Sequence, residues 1–224
     1  MPELNLILLG PPGSGKGTQV ERLRDEHRLP YYATGDILRA AVKDQSEIGR
    51  KAQEYMDRGD LVPDEVIIGV ICERIQDEEA ADGFILDGFP RTVPQAEALD
   101  REMERLGRTL SVALLIDVPD DEVVRRFGGR RTCVEQGHVF HIEFDPPAEE
   151  GVCDVCGGEL IVRDDDRDDV IRNRLEQYHE KTEPLVIYYE GKGILRKVDG
   201  ARGLDEVAEE IRGELATARA EGEV

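Results

Sequence analysis

Four glycines, at positions 10, 13, 15 and 17, surround a single lysine, Lys16, directly after the apolar run Leu4–Leu9. Glycines let successive backbone N–H groups turn inward around an anion, and a helix starting near Lys16 adds its positive dipole end. The lysine contributes a compact charge that can follow a phosphoryl group as it moves. Apolar run, glycine-rich turn and polar helix-prone segment therefore read as strand, phosphate loop and helix. Gly17 stands where a hydroxyl residue commonly follows the lysine, which leaves Thr18 as the nearest hydroxyl.

Two other stretches carry groups suited to the same chemistry. In "LDGFPRT" (86–92) Asp87 closes an apolar segment and falls at the carboxyl end of a strand, where open α/β sheets keep their ligands. An acid there can hold Mg²⁺ through water, and Arg91 can fork onto a phosphate. In "TGDILRAAV" (34–42) Thr34 and Arg39 stand at the mouth of an inserted segment. Each residue also has an ordinary reading: Asp87 as a helix cap, Arg91 as a solvated charge, Arg39 in a surface ion pair. Beside a phosphate loop, the three together fit less well as coincidence.

These groups need a frame. Strand-like segments recur at 4–9, 30–33, 84–86, 112–116 and 195–198, with helical patterns at 18–26, 64–78, 94–106, 120–127, 170–189 and 204–218. Short apolar strands alternating with helices predict an α/β fold whose central five-stranded parallel sheet is covered on both faces. Asp64 behind Pro63 and Asp120 behind Pro119 read as helix starts. Two segments break the alternation. Residues 34–62 read as two short helices closing at Gly59, and 131–165, rich in Gly, Pro, Cys and acids, as a small hairpin lobe with alternation over 139–144. The tail from Ala218 is expected to fray.

The chain has 224 residues, enough for one sizeable core with inserted lobes. No stretch approaches the roughly 20 apolar residues of a membrane helix, and the start is not a signal peptide, so a soluble cytoplasmic protein is expected. Fifty acidic against 29 basic residues give a net charge of −21, which disfavours nucleic acid and anionic membrane as partners. Only six of the basic residues are lysine. Regular apolar segments argue against disorder, and the charge reads as that of a halophile's protein working in a salty cytoplasm. Cys72, alone in an apolar helical stretch, reads as a buried structural cysteine.

The motifs taken together resemble those of adenylate kinases in their long-lid form, over essentially the whole chain. The carriers are "GPPGSGKGT", "TGDILRAAV", "LDGFPRT", "FGGRR", "FDPPAEEGVCDVCGGEL" and "RLEQYHEKTEPL". The glycine between lysine and threonine is that family's own form of the loop. The resemblance implies a P-loop three-layer core (1–33, 63–130, 166–224), a helical AMP-binding lobe (34–62) and a small β lid (131–165). It implies reversible, Mg²⁺-dependent transfer from ATP to AMP giving two ADP, in a monomer whose lobes close over both nucleotides.

It also implies roles. Gly13, Ser14, Gly15, Lys16, Gly17 and Thr18 would cradle the phosphates of ATP, and Arg126, Val139, Phe140 and Arg202 would complete its site. Thr34, Gly35, Leu61, Val62, Gly88 and Gln95 would surround AMP, with Arg39 and Arg91 on its phosphate. Arg130, Arg163 and Arg174 would converge on the reacting phosphates, Asp87 would act through metal-bound water, and Asp36 would support that network. A UMP/CMP-type kinase is the alternative acceptor class, and a nucleotide-binding regulatory module without turnover the alternative to an enzyme.

By the same resemblance, "CVEQGH" (133–138) and "CDVC" (153–156) occupy the place where some lids hold structural Zn²⁺. Cys133, Cys153 and Cys156 match that pattern, while the fourth family position is Gln136. His138 or water could complete the site. A metal-free polar lid and a disulfide from Cys133 remain the alternatives.

Overall fold

The computed structural model describes residues 3–221. The order along the chain is β1 (Leu4–Leu9), α1 (Lys16–His27), β2 (Tyr31–Ala33), α2 (Thr34–Lys43), α3 (Glu47–Arg58) and α4 (Asp64–Arg74). A 3₁₀ turn (Glu78–Ala80) precedes β3 (Gly83–Asp87), α5 (Val93–Arg105), β4 (Val112–Asp117) and α6 (Asp120–Gly129). Then come β5 (Arg130–Cys133), β6 (Val139–His141), β7 (Leu160–Ile161), α7 (Asp168–Gln177), α8 (Pro184–Gly191), β8 (Leu195–Asp199) and α9 (Leu204–Glu221).

Five strands form a parallel sheet in the order β2-β3-β1-β4-β8, and the fold is the expected α/β P-loop sandwich. Every residue of β1 is buried, as a strand covered on both faces requires. Leu4, Leu6 and Leu8 pack with Val20, Leu23, Ile211 and Leu215 of α1 and α9. Ile7 and Leu9 face the other way, onto Ile71, Leu99, Leu185 and Tyr189. The register pairs Leu8 and Ala33 with Asp87, so the chain leaves β1, β2 and β3 at one edge. That edge is where the chemistry gathers.

Between β2 and α4 the chain forms the pair α2 and α3. Ser46 caps α3 by accepting from the Gly49 N–H at 3.1 Å, and Gly59 ends it at φ 77°. β6, β5 and β7 form a separate antiparallel sheet around Cys133, Phe140, Cys153 and Leu160.

Several sequence expectations need correction. The helix expected over 170–189 is three pieces: α7, a π turn (Tyr178–Thr182) and α8, which restarts at Pro184. Pro184 has no N–H for the ladder, so the helix is remade around it. The helix expected to reach residue 78 ends at Arg74. The alternation at 139–144 is a strand only through His141; the chain then turns, and Ile142 and Phe144 are exposed. Cys72 is half-buried rather than core. Ala218 is fully buried and α9 runs on to Glu221, so fraying is absent there; the expected frayed end beyond lies outside the described residues.

Candidate active site

β1 ends against a turn in which Gly10, Gly13 and Gly15 all adopt positive φ. At Gly13 (φ 75°) the demand is also steric, because a Cβ there would lie 2.8 Å from the Phe127 ring. α1 starts at Lys16 with Gly15 as its cap, no side chain covers its first N–H groups, and its first turn has no acid. A 12-residue helix thus presents its bare positive end to the cleft. Lys16 folds back over the loop, its Nζ donating to Pro11 O (2.8 Å), Gly10 O (3.0 Å) and Ser14 Oγ (3.2 Å).

Cations crowd this cleft. Burial lowers the Lys16 pKa to about 8, with Asp87 opposing and Arg91, Arg174 and Arg130 adding to the fall. Burial likewise brings Arg174 and Arg163 down to about 10 and depresses Arg91. Five cations held this close repel one another, and a polyphosphate is the ligand whose charge would offset them.

Groups that sequence reasoning missed hold this cluster in place. Asp166, with a wholly buried carboxylate, accepts from Arg130 Nε at 2.7 Å and pairs with the same guanidinium through its second oxygen. Asp165 accepts from Arg174 Nη1 at 3.0 Å and lies 3.9 Å from Arg39. Phe127 lies under Arg130 and Arg174, with centroid distances of 4.4 and 5.1 Å. The run Asp164-Asp165-Asp166 beside Arg163 was the available signal, and a charge run by itself reads as a solvated face.

Asp87, at the end of β3, accepts from the Tyr31 hydroxyl at 2.9 Å through Oδ2. The carboxylate lines the cleft with the exposed Thr18, an oxygen pair of the hard kind that Mg²⁺ prefers. Tyr31, with its ionisation pushed up by burial first and Asp87 second, stays a neutral donor.

A second pocket opens beside α2. Thr34, Gly35, Arg39, Leu61, Val62, Gly88, Arg91 and Gln95 line it together, and Gly35, Arg39, Leu61, Gly88, Arg91 and Arg174 also line the main cleft. Thr34 Oγ1 donates to Gly88 O at 2.9 Å, and Arg91 Nε donates to the same oxygen at 2.8 Å. Gly88 (φ 75°) tolerates no side chain, since a Cβ would meet Thr34 Oγ1 at 2.6 Å. Arg39 pairs with Asp36 at 2.5 Å.

At the far end of the main cleft, Arg126 is pinned to Glu122 (2.9 Å), Gly200 O (2.7 Å) and Ser14 O (3.2 Å). Val139 is exposed there, and Arg202 pairs with Asp199 and Glu210. The side chain of Phe140 is buried in the small antiparallel sheet's own core, so only its backbone can reach a ligand. His141, stacked on Phe144 at 4.3 Å with Arg125 over the same ring at 4.7 Å, joins this wall; the sequence reading passed it over.

Comparison with known proteins decides the family. A family model described as adenylate kinase matches residues 8–194. A protein of Lachnospira eligens named adenylate kinase is 48% identical over 204 residues, 91% of this chain and 96% of the relative. Namesakes from Geotalea daltonii and Archaeoglobus fulgidus are 52% and 50% identical over 208 residues each, 93% of this chain and 97% and 96% of the relatives. The chain belongs to the adenylate kinase family.

Within this adenylate kinase fold, the antiparallel sheet gathers Cys133, His138, Cys153 and Cys156, whose ligand atoms all lie within 4.8 Å of one another. Cys133 Sγ is 3.4 Å from Cys156 Sγ, and His138 Nδ1 is 3.3 Å from Cys153 Sγ. Tetrahedral zinc with Zn–S near 2.3 Å wants ligand atoms about 3.7 Å apart. The donor set and its spacing fit that ion.

Two matching turns build the cluster. Gly137 N–H bonds Cys133 O (2.9 Å) and Cys133 N–H bonds His138 O (2.8 Å), while Gly157 and Gly158 repeat this arrangement around Cys153, both at 2.8 Å. Gln136 thus occupies the place of Cys156, and His138 reaches in from the place of Gly158. The Gln136 backbone N–H draws the Cys133 thiol below its usual range. All four cysteines are free thiols, which is a correction to the disulfide alternative.

Proposed function

We infer that the protein transfers the terminal phosphoryl group of ATP to AMP, reversibly, giving two molecules of ADP. The observation that carries this is the cationic cluster of Lys16, Arg91, Arg130, Arg163 and Arg174, set between a phosphate loop and a second pocket lined by Thr34, Val62 and Gln95.

Phosphoryl transfer asks a protein for positioning and charge neutralisation, because no protein atom needs to bond to the phosphorus. Gly13 through Thr18 cradle the phosphates of ATP with backbone N–H groups, and Lys16 follows the moving group. Arg39 and Arg91 hold the phosphate of AMP. Arg130, Arg163 and Arg174 neutralise charge that spreads over the equatorial oxygens. Arg126 lies flat against the base of ATP, and Thr34, Gly35, Leu61, Val62, Gly88 and Gln95 enclose that of AMP. Asp87, through water, and Thr18 would hold Mg²⁺, which would supply positive charge to offset that of the phosphates, with Asp36 supporting Arg39 nearby.

Water is the competing acceptor. The helix pair of 34–62 and the sheet of 131–165 act as the AMP-binding lobe and the lid on the core, closing to exclude it and bring the arginines together. In the lid, Cys133, His138, Cys153 and Cys156 would hold a structural Zn²⁺, which would stabilise a lobe whose own core is Cys133, Phe140, Cys153 and Leu160. The enzyme works as a cytoplasmic monomer, and its −21 charge suits a salty cytoplasm. Among the described residues no helix is long and apolar enough to cross a membrane. Formation of ADP from ATP and AMP by the purified protein is the test.

A further inference from the structure

Asp64 opens α4 behind Pro63, where a carboxylate ordinarily serves its own helix's first N–H groups. It does not do so here. Its Oδ1 accepts from Gln95 Nε2 at 2.7 Å, and its Oδ2 accepts from Thr92 Oγ1 at 2.9 Å. Thr92 in turn caps α5, accepting from the Gln95 N–H at 3.2 Å, so both carboxylate oxygens are held against the start of that helix. At the other end of the Gln95 amide, Oε1 accepts from the Arg91 backbone N–H at 2.7 Å.

These partners remove an ambiguity every glutamine has. A carboxylate can only accept and a backbone N–H can only donate. Reversing the amide would set oxygen against oxygen at Asp64 and N–H against N–H at Arg91. Gln95 is 2% exposed, yet it lines the second pocket beside Thr34, Leu61, Val62 and Gly88. Its Nε2 keeps one hydrogen and its Oε1 one lone pair beyond these bonds. The amide therefore offers a donor and an acceptor in a fixed order.

We propose that Asp64 sets the base specificity of the monophosphate site by locking the Gln95 amide in the orientation that reads adenine. Adenine presents an acceptor at N1 and a donor in its 6-amino group, the complement of a locked donor–acceptor pair. Hypoxanthine and guanine present the reverse, N1–H and a 6-oxo group, and meet donor with donor and acceptor with acceptor. Asp64 touches no nucleotide; it is a positioning residue that acts through Gln95. The proposal rests on the reading of this pocket as the AMP site.

The test compares AMP with IMP, which differs from it only at this edge, in wild type and in Asp64→Ala and Asp64→Leu, neither of which can accept from Gln95, with ATP saturating. Wild type is expected to prefer AMP by roughly 100-fold or more in kcat/KM, since mispaired buried polar groups reject a ligand strongly. In the variants the AMP/IMP ratio falls about tenfold, the scale of one charge-assisted hydrogen bond, through a raised KM for AMP while KM for ATP holds. A residue that only stabilised the fold would lower both substrates alike. An unchanged ratio in a variant that melts like wild type overturns the lock and leaves AMP phosphorylation standing. Calorimetric titration of wild type with each monophosphate reads the lock without a variant: equal affinities overturn it. Failure of the wild type to phosphorylate AMP at all contradicts the function instead.

Discussion

The carboxylate of Asp166 is wholly buried and is held by two nitrogens of the Arg130 guanidinium, one on each oxygen, with Arg174 Nη1 3.8 Å from Oδ1. One acid thus fixes the direction of one arginine and steadies a second. Without it, two cations would stand in a confined site with less to hold them. Removing one partner of such a pair leaves an uncompensated charge, at a cost of about 3–5 kcal/mol.

Asp166→Ala is therefore expected to lose stability of that order and to lower kcat by one to two orders of magnitude. Urea unfolding and initial rates at saturating nucleotides check the two parts separately. Wild-type kcat in the variant would show that Arg130 needs no such anchor.

Lys16 gives the account a pH signature. Its pKa in the folded protein is lowered to about 8 from 10.5, so the free enzyme carries the charge below pH 8 and loses it above. The unfolded chain binds the extra proton between those values, so this lysine makes stability rise with pH across that window. Binding runs the other way. Polyphosphate selects the charged form, so kcat/KM for ATP should fall by up to about tenfold per pH unit above pH 8. A profile flat to pH 9.5 would contradict this, and Lys16→Arg, though slower throughout, should remove the fall.

How much of this was legible depends on distance along the chain. The phosphate loop was plain because Gly10 to Thr18 carry their chemistry contiguously, and the buried strands because an apolar run such as Leu4–Leu9 needs no partner to be recognised. Asp166 and Arg130 are 36 residues apart, and Asp64 and Gln95 are 31 apart. Such pairs exist only once the fold brings them together, so Asp64 read as an ordinary helix start. The π turn at Tyr178–Thr182 was hidden for another reason: helical periodicity continues through it, and only Pro184 marks the break. His138 lay two positions from the expected ligand, and the positive φ of Gly137 (74°) turns the chain that delivers it.

The lid cluster predicts one structural zinc per chain, measurable by elemental analysis of protein purified without added metal. Chelation should lower the melting temperature before it abolishes activity, because Cys133 and Cys153 belong to the small sheet's own core and none of the four ligands is one of the cleft's cations. His138→Ala should weaken zinc retention by more than tenfold, on the scale of losing one ligand. Protein with far less than one zinc, and three freely titratable lid thiols, would leave the polar lid as the reading.

The surface charge of −21 predicts that salt stabilises the fold. Debye lengths of about 10 Å at 0.1 M and 3 Å at 1 M mean that molar KCl screens most surface repulsion. Melting temperature should climb between 0.1 and 2 M KCl. A flat or falling curve would remove the case for a salty cytoplasm.

The central claim is the reaction itself, and a coupled assay of ADP formation from ATP and AMP tests it most directly. The cluster around Lys16 predicts Mg²⁺-dependent production of two ADP for each ATP consumed, and loss of kcat by orders of magnitude in Lys16→Ala. Folded, full-length protein that forms no ADP from both nucleotides with Mg²⁺, at low or high KCl, would contradict it.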